Sequence, residues 1–128
     1  MRGSGPPGTV RNPDRSTVLG DRIRLATGFF DRFLGLQLAT PLRRGEGLWL
    51  VPCGSIHTCF MRFPIDLAFT GRGSVVVAIH AGVRPWRIVP PVSGAYGCLE
   101  LPTGTLASSQ TEVGDQLLWE TGHHPSET

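Results

Sequence analysis

Regular alternation of apolar and polar positions is the strongest pattern in this chain, and it is densest in the centre. Residues alternate from Ile56 to Arg62 and again from Ile65 to Thr70. Because successive side chains of a strand point to opposite faces, both segments are predicted to be strands. Pro64 lies between them and marks a bend, since it has no N–H to give to a neighbouring strand. A turn at Gly71–Gly73 then leads into a Val/Ile-rich strand at Ser74–His80.

The remaining segments extend this prediction and add one helix. Alternation or a short apolar run predicts further strands at Thr17–Ala26, Leu48–Val51, Ala95–Leu101 and Gln116–Glu120. Thr27–Leu38 differs, because its phenylalanines and a leucine recur at helical spacing. Together these elements predict an all-β fold, a small β-sandwich or barrel-like domain of about seven or eight strands with one short N-terminal helix.

Length and composition indicate one domain between two tails. A chain of 128 residues can bury enough surface to fold as a single unit. Seventeen glycines, eleven prolines and only 17% charged residues favour short strands joined by turns over a helical bundle. Residues 1–16 are rich in Gly, Pro and charge and are predicted to be a flexible tail. The β domain is predicted at 17–121 and a C-terminal tail at 122–128.

Charge and cysteine content narrow the class of partner and the compartment. All twelve basic residues are arginines spread along the chain, and the net charge is only +2, so no nucleic-acid partner is expected. No stretch resembles a secretory signal or a membrane span, so we expect a soluble, cytoplasmic protein. The odd number of cysteines, three, favours reduced thiols over a disulfide framework.

Five separated motifs also occur in a recognisable order. They are SIHTCFMRFPIDLAF, SVVVAIH, RPWR, LELPTGT and VGDQLLW. Over roughly Leu19 to Trp119 they resemble the bacterial and archaeal family called domain of unknown function 192. The positions that match the family's motifs are Met61, Pro64, Asp66, Glu100, Leu101, Pro102, Gly104, Gly114 and Asp115. This chain has Phe60 and Arg62 where many members have Trp and Asn.

The resemblance implies a compact all-β sandwich or barrel with a short helix. It implies no established activity and no cofactor. Function must therefore be sought in the side chains themselves.

Six polar or aromatic residues interrupt apolar strands or lie on a rigid loop, and they form the candidate binding site. Asp66 and Glu100 each lie within an apolar strand, and the loop at Arg84–Arg87 presents an indole between guanidinium groups that can bind anions or stack on a ring. A binding module for a small polar ligand or a partner peptide is the first hypothesis. Its predicted ligand-binding residues are His57, Arg62, Asp66, Trp86, Arg87 and Glu100.

Two other functions remain open from the sequence. Asp66 and Glu100 could act as general acid and base in a hydrolase, or Cys59 or Cys98 beside His57 could supply a nucleophile. Alternatively, His57, Cys59 and Met61 share a strand face and have the ligand types that suit Cu or Zn. Strand spacing keeps all three from one ion without a bulge, so a third ligand would come from Cys98 or His80. No cofactor motif is present, and none is predicted.

Overall fold

The structure, a computed structural model, describes residues 4–26, 41–53, 56–57 and 63–121. Over these ranges the chain forms nine strands and one short helix, with a 3-10 turn at Arg72–Ser74. The strands are β1 (Ser4–Asn12), β2 (Thr17–Ala26), β3 (Glu46–Leu50), β4 (Ile56–His57), β5 (Ile65–Thr70), β6 (Val76–Val83), β7 (Ile88–Val89), β8 (Gly97–Pro102) and β9 (Leu118–Thr121). The helix, α1, spans Thr105–Ser108. No helix in the described ranges is long and apolar enough to cross a bilayer.

Seven strands form one mixed sheet in the order β6-β5-β8-β3-β2-β1-β9. The β2–β3 pair is parallel and the other pairs are antiparallel. Strands β4 and β7 form a separate antiparallel pair, in which Ile56 lies opposite Val89 and His57 opposite Ile88. Val89 packs on the main sheet, so this small pair covers part of one of its faces.

The two edges of the main sheet are joined by hydrogen bonds between the start of β6 and the segment that leads into β9. The Val76 N–H donates to the Asp115 carbonyl oxygen at 2.8 Å, and the Gly114 N–H donates to the Val76 carbonyl oxygen at 2.8 Å. The Leu117 N–H donates to the Ser74 carbonyl oxygen at 3.0 Å. Because β6 and β9 end the strand order, these bonds curl the sheet into a barrel with an inner and an outer face.

Each face of the barrel wall has its own apolar core. The inner core contains Val10, Leu19, Ile23, Trp49, Ala68, Val76, Leu99, Leu101, Leu106 and Leu117. The outer core contains Ala26, Leu48, Leu50, Ile65, Leu67, Phe69, Val89 and Cys98. All six residues of β5 are buried, because this strand has a core on both sides. Leu106 of α1 belongs to the inner core, so the helix closes one end of the barrel.

The all-β fold is confirmed, and several elements match the predicted bounds. β2 and β5 occupy the predicted ranges, while β3, β6, β8 and β9 are shifted by one to three residues at one or both ends. The predicted helix at Thr27–Leu38 lies outside the described residues. The short helix that the structure does show, α1, was not predicted from the sequence.

The prediction of a flexible tail over residues 1–16 is wrong where the structure describes this segment. β1 pairs with β2 on one side and with β9 on the other. Val10 is fully buried in the inner core, and Gly8 permits close approach to β9, since a Cβ there would lie 2.6 Å from an indole atom of Trp119. Gly- and Pro-rich composition suggested a tail, but β1 lies between the adjacent strand β2 and the distant strand β9, and the pairing with β9 leaves no local pattern.

A buried polar cluster ties the β1–β2 turn to the segment that closes the barrel. The Asp115 carboxylate accepts hydrogen bonds from the Arg15 guanidinium at 3.0 Å, the Asn12 side-chain amide at 3.0 Å and the Glu112 N–H at 2.9 Å. The Arg15 hydrogen bond, followed by the one from Asn12, lowers the pKa of Asp115 far below its ordinary value of 3.8. The carboxylate is therefore stabilised in its charged form in the folded protein.

Asp115→Asn is expected to flatten the dependence of folding stability on pH in the acid range. The pKa of Asp115 is lower in the folded than in the unfolded chain, so its contribution is complete above pH 3.8 and falls as the pH drops toward the folded-state pKa. Urea unfolding from about pH 2 to pH 6 should show a steeper acid loss for the wild type than for the variant. The exposed Asp21→Asn serves as control, and parallel curves for the wild type and Asp115→Asn would contradict this role.

Candidate functional site

Four of the six predicted ligand-binding residues have described side chains, and these four divide between the barrel wall and an exposed loop. The backbone of His57 lies opposite Ile88 in the β4–β7 pair. Because Ile88 directly follows Arg87, the His57 backbone lies near the end of the loop at Arg84–Arg87. Trp86 in that loop is 73% exposed, and Arg87 is also exposed. Arg62 lies outside the described residues. The structure thus brings His57 near this loop, whereas Asp66 and Glu100 lie within the barrel wall.

Asp66 has a clear structural task at the closed end of the barrel. One carboxylate oxygen accepts the Gly82 N–H at 2.8 Å, and the other accepts the N–H groups of Gly104 and Leu106 at 3.1 and 3.0 Å. The side chain is 1% exposed. Asp66 therefore holds the start of α1 and a glycine of β6 together, which satisfies donors that would otherwise be costly to bury.

Glu100 is fully buried on the opposite face of the wall from Asp66. It lies opposite Leu67 on one neighbouring strand and Leu48 on the other, whereas Asp66 lies opposite Leu101. Leu67 and Leu48 belong to the outer core, and Leu101 belongs to the inner core. The two carboxylates therefore do not face each other, and the pair required for a hydrolase of the general acid and base type is not assembled.

The metal hypothesis has no support among the residues whose positions are known. In the described ranges, no three His, Cys, Asp or Glu side chains come together in a way that could hold an ion. Cys59 and Met61 lie outside those ranges. The proposed nucleophile pair of Cys59 and His57 therefore lies partly outside them as well. Soft-metal binding through these residues stays a prediction.

The end of the barrel opposite α1 contains a pocket, which we call the mouth pocket. It has a volume of about 190 Å³ and is lined by Leu25, Trp49, Val51, Thr70, Gly71, Ser74, Tyr96, Gly97 and Trp119. Asp66 and Thr70 are four residues apart on β5, so the mouth pocket lies roughly 13 Å from the end that α1 closes. Mouths of β-barrels are common sites for small ligands.

Strand ends supply the walls and the polar groups of the mouth pocket. The Trp49 indole N–H donates to the Thr70 hydroxyl oxygen at 3.3 Å, and the Trp119 indole N–H donates to the Ile23 carbonyl oxygen at 3.4 Å. A Cβ on Gly97 would lie 3.1 Å from both the Thr70 hydroxyl oxygen and the Trp49 indole nitrogen. The absence of a side chain at Gly97 therefore keeps space open beside the Trp49–Thr70 pair.

The sequence contained weak signals for this pocket. Glycine inside a strand often marks a close approach of another group, and Gly97 is the first residue of β8. Trp49 and Trp119 were each predicted within or beside a strand, but their strands, β3 and β9, are separated in the sheet by β2 and β1. The curling of the sheet brings the two indoles to one pocket. Alternation along a single strand does not indicate how the sheet will curl.

A larger groove of about 650 Å³ lies at the closed end, beside α1. Several hydroxyl groups line it, but the structure uses them internally. Thr17 donates to the Ser109 carbonyl oxygen at 2.7 Å, and Ser108 donates to the Thr105 carbonyl oxygen at 3.1 Å. These hydroxyls stabilise the turn around α1, which makes the groove a weaker candidate for ligand recognition than the mouth pocket.

Comparison with known proteins identifies the family. Residues 10–119 match the profile of domain of unknown function 192 (DUF192), described as "Uncharacterized ACR". The chain belongs to the DUF192 family. This agrees with the resemblance seen in the motifs, and the family carries no established activity.

Curated DUF192 relatives named UPF0127 proteins come from archaea. The protein of Thermococcus sibiricus is 34% identical over 85% of this chain and 73% of its own length. The protein of Pyrococcus horikoshii is 34% identical over 88% of this chain and 99% of its own length. That of Pyrococcus abyssi is 31% identical over 89% of this chain and 99% of its own length.

Two solved structures share the DUF192 fold seen in this chain. A protein of unknown function from Novosphingobium aromaticivorans has a TM-score of 0.74 and 25% identity, covering 88% of this chain and 84% of the other. A protein from Sinorhizobium meliloti, titled a putative transcription regulator, has a TM-score of 0.74 and 20% identity, covering 93% and 96%. The second likeness concerns the fold alone.

Asp66→Asn is expected to lower the free energy of unfolding by about 2 kcal/mol, and Asp66→Ala by more. An amide presents one acceptor oxygen to three backbone donors, whereas alanine presents none. Urea unfolding measures the change. The exposed Asp21→Asn should cost less than about 0.5 kcal/mol, and an equally small cost at Asp66 would contradict the anchoring role.

Proposed function

We propose that this DUF192 domain is a binding module whose mouth pocket receives the neutral, ring-shaped part of a small molecule. The observation that carries the proposal is the combination of size and wall chemistry at the open end of the barrel. Its volume of about 190 Å³ is close to that of an engineered protein cavity, about 150 Å³, that binds benzene. A single ring fits such a space, whereas a drug-sized molecule requires a pocket of about 300 Å³ or more.

The wall of the mouth pocket favours a ligand without charge. Among the described residues that line it, none carries a charge, and most are aromatic or aliphatic. Burying an ion against such a wall costs several kcal/mol unless the ion is paired. A ring gains instead from apolar burial and from stacking against Trp49, Trp119 or Tyr96.

One polar pair supplies a means of orienting the ligand. The Thr70 hydroxyl accepts the Trp49 indole N–H and still carries its own proton, which it can donate to an oxygen or nitrogen of the ligand. Thr70 is 3% exposed, so this hydrogen bond would form away from bulk water. The first hypothesis from the sequence, a small polar ligand, therefore changes to a largely apolar ligand with one hydrogen-bonding group.

One feature supports binding over a carboxylate hydrolase, within the cytoplasmic location that the sequence predicts. Asp66 and Glu100 lie on opposite faces of the wall, which leaves the hydrolase hypothesis without its carboxylate pair. The carboxylate hydrolase hypothesis thus has less support than a binding module, while the Cys-His and metal hypotheses stay predictions.

Phenol is expected to bind in the mouth pocket with a dissociation constant on the order of millimolar, as suits a ligand of a few atoms. Titration followed by nitrogen-15 NMR should shift the indole N–H signals of Trp49 and Trp119 in a saturable way. The signal of Trp86, which is 73% exposed, is the internal control. Benzoate has the same ring with a negative charge and should bind at least tenfold more weakly.

Gly97→Ala should weaken phenol binding at least tenfold, because its Cβ narrows the space beside Thr70 and Trp49. Thr70→Val should remove the preference for phenol over benzene. Thr103→Val makes the same chemical change at the closed end of the barrel and should leave binding unaltered. Equal binding of phenol and benzoate, or shifts confined to Trp86, would overturn the proposal.

A further inference from the structure

Two thiols meet on the outer face of the barrel wall, where β3 ends and β8 begins. Cys98 is the second residue of β8 and is fully buried in the outer core. Cys53 follows β3 and is half-buried, and it packs against the same core. The Cys53 N–H donates to the Tyr96 carbonyl oxygen at 2.7 Å, which extends the β3–β8 pairing and holds Cys53 beside Cys98.

We propose that Cys53 and Cys98 are a redox-active pair that closes into an intramolecular disulfide on reaction with a hydroperoxide. Cys53 bonds through its N–H to Tyr96, two residues before Cys98, and both cysteines pack at the outer core, so the backbone places the two thiols side by side. A disulfide requires close, correctly directed β-carbons, and a cross-strand contact between sequence-distant residues can supply that arrangement. The pair also differs in exposure, which assigns a different role to each cysteine.

Cys53 is the more exposed of the two cysteines, which assigns it the first reaction with the peroxide. Its thiolate sulfur attacks one peroxide oxygen, the S–O bond forms as the O–O bond breaks, and the product is a Cys53 sulfenic acid together with water or an alcohol. The Cys98 sulfur then attacks the Cys53 sulfur. The S–S bond forms as the S–O bond breaks, and the hydroxyl leaves as water with the proton from Cys98. Two thiols are oxidised by two electrons, and the hydroperoxide is reduced.

The surroundings of Cys98 make it the second thiol to react and not the first. Burial is the main cause that raises the pKa of Cys98, and the hydrogen bond to Cys53 and the negative charges of Cys53 and Glu100 act in the same direction. Cys98 therefore keeps its proton near neutral pH, so a peroxide meets a buried thiol there and not a thiolate. Cys98 reacts once a sulfenic acid has formed beside it.

Treatment of the reduced full-length protein with hydrogen peroxide, alkylation of the remaining thiols and peptide mass spectrometry test the proposal. We expect a peptide pair linked through Cys53 and Cys98, a loss of about 2 Da from the protein mass, and reversal by dithiothreitol. One of the three cysteines, Cys59, should stay open to alkylation. Because the linked peptide is sought in the wild type, the test does not depend on any variant folding.

Three cysteine variants separate the roles. Cys59→Ser should form the disulfide as the wild type does, and Cys53→Ser should form none. Cys98→Ser should accumulate a sulfenic acid at Cys53 that dimedone traps, because the second thiol is missing. A disulfide that joins Cys59 to either partner, or full retention of all three thiols under peroxide, would overturn the proposal. These outcomes do not depend on ligand binding in the mouth pocket.

Discussion

Closure of the sheet is the constraint on which the rest of this structure depends. Three backbone hydrogen bonds join the start of β6 to residues 114–117, at 2.8, 2.8 and 3.0 Å. They turn an open sheet into a barrel wall with an inner and an outer face. The surroundings of each functional group depend on the face of the wall to which its side chain points. Asp66 and Glu100 lie on adjacent strands, one residue out of register, and therefore point to opposite faces.

The two ends of the barrel have different chemistry for a local physical reason. At one end, α1 supplies Leu106 to the inner core, and Asp66 accepts the backbone donors at the start of that helix. At the other end no described element fills the space next to Trp49, and Gly97 adds no side chain to it. One end is thus stabilised by burial and charge-assisted hydrogen bonds, and the other is left with space for a ring. The thiol pair lies on the outer side of the strands whose inner side forms this pocket.

Local sequence patterns predicted most strands well, but they did not indicate which strand ends meet. The strands at Thr17–Ala26 and Ile65–Thr70 could be predicted because side chains alternate between the two faces of a strand, so their sequence alone shows the alternation. The failure at β1 has the opposite origin, because this strand is enclosed between β2 and β9, and β9 comes from the other end of the chain. Composition was a poor guide there, since glycine at position 8 serves close packing and not flexibility.

The predicted site residues Asp66 and Glu100 illustrate a related point. A carboxylate in an apolar strand signals a special role, and for Asp66 the role is to hold α1 and β6. The sequence cannot distinguish that use from ligand binding, because both place an acid among apolar neighbours. Trp49 and Trp119, in contrast, look like ordinary core residues until closure places both at the mouth.

Amide hydrogen exchange tests the closure most directly. If β6 pairs with residues 114–117, the amides of Val76, Gly114 and Leu117 should exchange as slowly as those in the β5–β8 ladder, because all open only with the whole barrel. Fast exchange at these three amides, with the β5–β8 amides still protected, would show an open sheet and would contradict the account of the barrel and its mouth.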